Sequence, residues 1–94
     1  MNTNETVISP IEIQEGDILR EHGLLLRVTH KNVDRVGEHG RVVQWGCDVL
    51  EDNNPKDDPL PSWAFERDAN GHYDRTRYAV QGNEKAKIVK LNQD

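Results

Sequence analysis

Polar and apolar residues alternate along much of this chain, and a period of two is typical of strands that are buried on one face. The clearest alternation lies in residues 41–50, and residues 24–30 show the same period. The apolar faces of these two runs consist of Val43, Trp45, Cys47 and Val49, and of Leu24, Leu26 and Val28. We predict that the two runs pair as a hairpin. Residues 31–40 between them are polar and contain two glycines, which predicts a long loop at the tip.

Shorter apolar runs predict strands at 17–20 and 86–91, the latter after a turn at 81–84. Residues 7–13 are predicted to be extended chain at a sheet edge, because Pro10 has no N–H to donate to a ladder. Residues 51–62 contain three prolines and four acidic residues, which is typical of a loop that crosses the surface. The sequence shows neither a helical period nor an internal repeat.

The dipeptide Asn70-Gly71 predicts a second hairpin, because both central residues of a type I′ turn need positive φ and these two tolerate it. Folding the chain at this turn places Trp63 opposite Tyr78 and forms two opposite-charge pairs. The charge pairs are Arg67 with Asp74 and Glu66 with Arg75. Each cross-strand pair contributes only about 0.2–1 kcal/mol, so the pairs fix the register more than they stabilise the sheet.

Five or six short strands separated by turns predict an all-β fold, a small antiparallel SH3-like barrel or roll. Closing such a sheet removes the exposed strand edges that it would otherwise present. We predict a single domain over residues 7–91, with 51–62 as its acidic, proline-rich loop. Residues 1–6 and 92–94 are predicted to be tails.

Composition narrows the classes of function. The 94 residues are 31% charged with a formal net charge of -5, which opposes the basic footprint of a general nucleic-acid binder. An acidic surface suits a basic protein partner instead. The single cysteine excludes an internal disulfide, and no apolar stretch reaches the length of a membrane span. The first residues do not resemble a signal peptide, so a cytoplasmic location is expected.

The sequence presents no recognisable catalytic or metal-binding arrangement. No two of the four histidines have the spacing of a metal motif. Cys47 falls on the predicted core face, where a buried and inert thiol is expected. We therefore predict no enzyme activity, no catalytic or metal site and no cofactor.

Residues 78–86 contain an aromatic residue, then Val-Gln-Gly-Asn, then an alanine three positions on. These residues are Tyr78, Val80, Gln81, Gly82, Asn83 and Ala86. Together with Gly16-Asp17-Ile18-Leu19 and Glu21-His22-Gly23, this ending resembles short, mostly uncharacterised proteins encoded by bacteriophages. The resemblance covers part of the chain. It implies a phage setting and a β-rich fold, and it implies no particular reaction.

Two hypotheses of function follow, and both are hypotheses of binding. The first is a phage accessory protein that binds and inhibits a host protein, such as a defence or nucleic-acid-processing factor. Its candidate binding residues are acidic: Asp48, Glu51, Asp52, Asp57 and Asp58.

The second hypothesis is a nucleic-acid or nucleotide-binding barrel that combines an aromatic residue with basic ones. Its candidate residues are Trp63, Arg75, Arg77 and Lys87. A virion or assembly component that oligomerises through a strand edge is a further alternative.

Overall fold

A computed structural model describes residues 4–38, 40–55, 57, 60, 64–67 and 69–92. Seven antiparallel strands form one sheet over these residues, in the order β1-β7-β2-β3-β4-β6-β5. The strands are β1 (Asn4–Ile8), β2 (Ile18–Glu21), β3 (Leu24–Gly37), β4 (Gly40–Asp52), β5 (Phe65–Arg67), β6 (Tyr73–Asn83) and β7 (Ile88–Asn92). The prediction of an all-β, small antiparallel barrel or roll is confirmed. The described residues form seven strands where five or six were predicted, and β1 includes residues 4–6 of the predicted tail.

The core consists of the apolar faces that the sequence alternation marks. Leu24, Leu26, Val43 and Cys47 are fully buried, and Trp45 is 5% exposed. These side chains pack in one cluster with residues of β2, β6 and β7. The predicted faces of residues 24–30 and 41–50 are therefore confirmed.

A 3₁₀ turn at Pro10–Glu12 joins the chain after β1 to distant strands of the sheet. The turn packs against β4 and β6, although its own neighbour β1 lies at the opposite edge of the strand order. The indole N–H of Trp45 donates a buried hydrogen bond of 2.9 Å to the carbonyl oxygen of Pro10. One side chain thus fastens the connection after β1 to the middle of the sheet.

The hairpin of β3 and β4 has the predicted partners, but the predicted loop at 31–40 is wrong. Strand β3 continues to Gly37, and β4 begins at Gly40. Asp34 supports this extension because it accepts hydrogen bonds from Arg41 on the facing strand, at 2.7 and 2.8 Å, and from Lys31 at 3.2 Å. Polar residues occupy both faces here, so the chain carries no apolar alternation that would have marked strands.

The hairpin of β5 and β6 also departs from its prediction. Arg67 faces Tyr73 and Glu66 faces Asp74, which is not the register of the predicted two-residue turn. Gly71 has a φ of +81°, whereas Asn70 does not have the positive φ that a type I′ turn requires.

The register shifts between Phe65 and Glu66, so that Phe65 lies opposite Tyr78 whereas Glu66 lies opposite Asp74. The predicted partner of Tyr78, Trp63, lies outside the described residues.

The turn between β2 and β3 has the type I′ geometry that was predicted for Asn70-Gly71. His22 and Gly23 connect the paired residues Glu21 and Leu24, and their φ values are +51° and +82°. The predicted turn at 81–84 is displaced, because β6 continues to Asn83 and the turn falls at residues 84 and 85.

Candidate functional site

The predicted acidic residues do not all lie in a loop. Strand β4 extends to Asp52, so Asp48, Glu51 and Asp52 lie at its C-terminal end. Asp57 is exposed beyond the strand, and Asp58 lies outside the described residues. A strand fixes the spacing of three of these carboxylates, which a mobile loop would not do.

Two of these carboxylates pair with two arginines of the alternative, nucleic-acid face. Arg75 on β6 donates from Nε and Nη2 to Asp52 Oδ2 at 3.1 and 2.8 Å. Arg77 Nη1 lies 3.5 Å from Asp48 Oδ1. Both pairs join neighbouring strands, because β4 and β6 are adjacent in the sheet. The structure therefore brings the two predicted sites together as opposite halves of the same ion pairs.

The other two residues of the predicted nucleic-acid face do not join this group. Lys87 lies in the connection between β6 and β7 and borders a separate depression formed with Val7, Arg20 and Val89. Trp63 lies outside the described residues. The predicted set of four is therefore not brought together as one surface among the residues that the structure describes.

Arg75 is held on two sides. Its guanidinium group lies 4.8 Å from the centre of the Phe65 ring, in addition to its bond with Asp52. The pKa of Asp52 is lowered, first by the hydrogen bond from Arg75 and then by the backbone N–H of Asn54. The carboxylate of Asp52 is thus the favoured form well into the acidic range.

The Phe65 ring, which contacts Arg75, also contacts a buried tyrosine. Phe65 packs edge-on against Tyr78 with ring centres 5.4 Å apart, and the Tyr78 hydroxyl donates to Glu21 at 2.9 Å. A surface arginine and a partly buried glutamate are thereby connected through two rings.

A β-bulge shapes the end of β4. Leu25 pairs with Glu51 and Leu26 pairs with Val49, so Leu50 is the extra residue of the bulge. The side chain of Leu50 is 41% exposed, beside acidic neighbours. We name the surface formed by Asp48, Leu50, Glu51 and Asp52 the acidic ridge.

Next to the acidic ridge lies a notch of about 140 Å³, lined by Asn32, Gln44, Gly46, Cys47, Ala64, Phe65, Arg77, Tyr78 and Ala79. Its floor is the pair Gly46 and Ala79, which lack long side chains. The residue pairs on either side along β4 and β6 are Gln44 with Gln81 and Asp48 with Arg77. We name this feature the Gly46 notch. Sequence reasoning missed it, although a glycine in the interior of a strand signals close approach of another group.

Gly46 is required by its neighbour on β3. A Cβ atom at position 46 would lie 2.7 Å from His30 Cε1 and 3.3 Å from Asn32 Nδ2. The imidazole of His30 therefore packs directly on the backbone of β4. Thr29 fixes this position, because its hydroxyl bonds both to the Gly46 carbonyl at 2.9 Å and to His30 Nδ1 at 2.8 Å.

The Cys47 thiol is buried, as the sequence predicted. Burial, and then the nearby carboxylates of Glu21 and Asp48, raise its pKa to about 12. Thiolate chemistry at neutral pH is therefore disfavoured at this position. Among the described residues, no group of three or more His, Cys, Asp or Glu side chains could hold a metal ion. No helix in the described part of the chain is long and apolar enough to cross a membrane.

Comparison of the chain with protein-family models, with curated proteins and with solved structures finds no match.

Proposed function

We propose that this chain is a non-enzymatic binding protein that docks its acidic ridge on a basic surface of another protein. The observation that supports the proposal is Leu50, an exposed apolar residue at a β-bulge, flanked along β4 by Asp48, Glu51 and Asp52. Bulges re-aim side chains and are frequent at functional sites. An apolar centre inside a charged rim is also the usual organisation of a protein interface.

The ion pairs support a protein partner over a nucleic acid. A phosphate that approached Arg75 or Arg77 would have to displace the carboxylate of Asp52 or Asp48. It would also meet a chain with a net charge of -5. Phosphate binding draws its free energy from uncompensated cations that release counterions, and these arginines are already compensated. The same pairs compensate Asp48 and Asp52, so the attraction of the ridge for a basic surface rests on Glu51 and on the net charge of -5.

The resemblance to phage-encoded proteins supports a more specific form of this proposal. In that setting the protein is an accessory factor that inhibits a host protein, such as a defence or nucleic-acid-processing factor. Such an inhibitor needs affinity and no chemistry of its own.

Affinity capture from a bacterial lysate tests the proposal. The tagged protein is used with nuclease-treated and untreated halves of the lysate, and bound material is identified by mass spectrometry. A double variant of the acidic ridge, Leu50→Ala with Glu51→Gln, is compared with the control Glu15→Gln. Glu15 is exposed in a turn outside the ridge, and Glu15→Gln removes the same charge as Glu51→Gln.

We expect one stoichiometric protein to survive nuclease treatment, to be lost with the ridge variant and to be retained by Glu15→Gln. Added salt should weaken the capture, because the contact is electrostatic at its rim. Recovery of nucleic acid alone, lost on nuclease treatment, would favour the nucleic-acid alternative. Recovery of neither a protein nor nucleic acid would contradict the host-protein proposal and favour an assembly component.

A further inference from the structure

We propose that the face of the sheet opposite the core binds the same face of a second copy of this chain, in a weak dimer with twofold symmetry. The inference goes beyond the proposed function, because it gives part of the acidic ridge a second occupant. Its support is a row of side chains across five strands, with a carboxylate at one end and a depression bordered by a lysine at the other.

The strand register defines this row. Residues that pair directly lie side by side on the same face of a sheet, so the successive pairs place five residues in line. They are Glu51 on β4, Leu25 on β3, Arg20 on β2, Val89 on β7 and Val7 on β1. Their chain neighbours Leu19, Leu24 and Leu26 are fully buried, so the row lies on the face opposite the core. We name these five residues the outer row.

Leu50 adds an apolar side chain at the acidic end of the outer row. Val49 pairs with the buried Leu26 and packs against the core, so the alternation that follows turns Leu50 to the opposite face. Leu50 and Val7 are 41% and 59% exposed, and they are two of the three large apolar residues that are exposed in the described part of the chain. The outer face therefore exposes apolar side chains toward both ends of the row.

The Val7 end of the row carries a depression of about 260 Å³, lined by Val7, Arg20, Glu21, Lys87, Ile88 and Val89. A cavity of roughly 150 Å³ holds a benzene molecule, so a leucine side chain fits here. The charge of Arg20 is balanced by Glu5 at 2.7 Å. Glu21 accepts a hydrogen bond from the Tyr78 hydroxyl. Lys87 forms no ion pair with any residue that the structure describes, so the depression offers an apolar floor and one uncompensated cation.

Charge complementarity favours a second copy as the occupant. Glu51 is the uncompensated anion of the acidic ridge, just as Lys87 is the uncompensated cation of the depression. A twofold rotation about an axis along the strands, between β2 and β3, reverses the outer row. This rotation places Glu51 of each copy over Val89 and beside Lys87 of the other, and it brings Leu50 to the depression. Each contact is made twice, as in any isologous interface.

The size of the face and the net charge set the strength of the dimer. Strands lie about 4.8 Å apart, so five strands span roughly 19 Å, and a patch of this width buries less than the ~800 Å² per partner of a standard interface. The charge of -5 on each copy also opposes association. That repulsion is screened beyond about 8 Å at about 0.15 M salt, whereas the complementary groups touch. We therefore expect a dissociation constant of roughly 10 µM to 1 mM.

Sedimentation equilibrium of the full chain, up to about 1 mM in about 0.15 M salt, tests the dimer. We expect a monomer–dimer equilibrium in wild type. Glu51→Lys and Lys87→Glu should each weaken it about tenfold or more, because each creates two contacts between like charges. Combining both changes in one chain, or mixing the two single variants, should restore association. Glu38→Lys and Arg35→Glu are the matched controls, since they change the same charges on exposed residues at the far end of the β3–β4 hairpin.

Three results would overturn the proposal. The first is a wild-type chain that stays monomeric at the highest concentration. The second is association that responds to the controls as strongly as to the two reversals, and the third is a double variant that does not recover.

Lys87→Glu separates this inference from the proposed function, because Lys87 lies outside the acidic ridge. The dimer covers Leu50 and Glu51, so a partner and a second copy compete for them. A monomeric Lys87→Glu chain that captures the partner at least as well as wild type supports both proposals. A monomeric wild type whose capture depends on the ridge overturns the dimer and leaves the proposed function in place. A wild type that dimerises as described, with capture that survives the ridge variant, supports the dimer and contradicts the proposed function.

Discussion

Trp45 combines two contributions to stability in one side chain. Its ring is 5% exposed within the core, and its indole N–H satisfies the carbonyl of Pro10. Burial of a large aromatic ring and pairing of a buried acceptor are separate effects with separate costs when lost. Substitutions at this position can therefore separate them.

Trp45→Ala should lower the free energy of unfolding by about 3–5 kcal/mol, because it opens a cavity and unpairs Pro10. Trp45→Phe keeps much of the packing and should cost about 1–3 kcal/mol, chiefly for the unpaired carbonyl. Urea denaturation at equilibrium measures both. Val36→Ala is the control, since Val36 is 80% exposed, and a Trp45→Ala curve that matches this control would contradict the packing described above.

Cys47 links one buried group to alkaline stability. Its folded pKa of about 12 lies above the ordinary value of 9.0, so the folded state holds the proton more tightly than the unfolded state. Stability from this group is complete below about pH 9 and is lost as pH rises toward about 12.

We therefore expect the free energy of unfolding to fall more steeply in wild type than in Cys47→Ala over this alkaline window. Chemical denaturation at a series of pH values measures the difference between the two slopes, which cancels the titration of lysines and tyrosines. Parallel slopes would mean that the thiol reaches water in the folded state.

At the scale of elements, the turn of His22 and Gly23 is fixed from outside as well as by its own geometry. The backbone N–H of Asn53 donates to the Gly23 carbonyl at 2.9 Å, and Asn54 Nδ2 donates to the His22 carbonyl at 2.7 Å. The residues that follow β4 are thereby bound to the β2–β3 turn. This contact holds the end of β4, where the acidic ridge lies.

Gly23→Ala should destabilise the protein more than Gly16→Ala. Both glycines have positive φ, at +82° and +89°, so an alanine costs about 1 kcal/mol of backbone strain at either position. Only at Gly23 would the new Cβ lie 2.5 Å from the Asn53 carbonyl oxygen, while nothing lies within 4 Å at Gly16. Thermal denaturation of the two variants gives the difference, and equal losses would show that the Asn53 contact yields without cost.

The sequence predicted the elements whose signal is apolar alternation and missed those held by other forces. The core faces of β3 and β4 follow a period of two, and the structure confirms them. The outer half of the same hairpin is stabilised by Asp34 and its two cations, and charge pairs give no periodic signal. The register shifts at Leu50 and at Phe65 depend on how the residues on both sides of each shift pair with the neighbouring strand.

The candidate site was predicted in part for the same reason. The acidic residues and the arginines were each visible as charged sets, but their pairing depends on β4 and β6 being adjacent. The Gly46 notch depends on His30 lying across β4, which follows from the bulge at Thr29. Neither relation is local in sequence, so neither could be read from spacing along the chain.

At the scale of the whole molecule, ion pairs join charged residues that are distant in the sequence. Glu5 on β1 and Arg20 on β2 meet across β7 at 2.7 Å, and Asp17 lies 3.4 Å from Lys90. The side chains of Glu5 and Arg20 are about half exposed, and such exposed pairs typically contribute about 0–1 kcal/mol each. The burial of one shared core therefore dominates the stability of the sheet.

The position of β7 has a consequence for how the protein is made. This strand lies between β1 and β2, and Asn92 pairs with Asn4. On the ribosome, β1 emerges first and has no neighbour in the sheet until β7, more than seventy residues later in the sequence, has left the exit tunnel. The nascent chain must keep β1 unpaired and exposed during that interval, so its short, largely polar composition protects it from premature association.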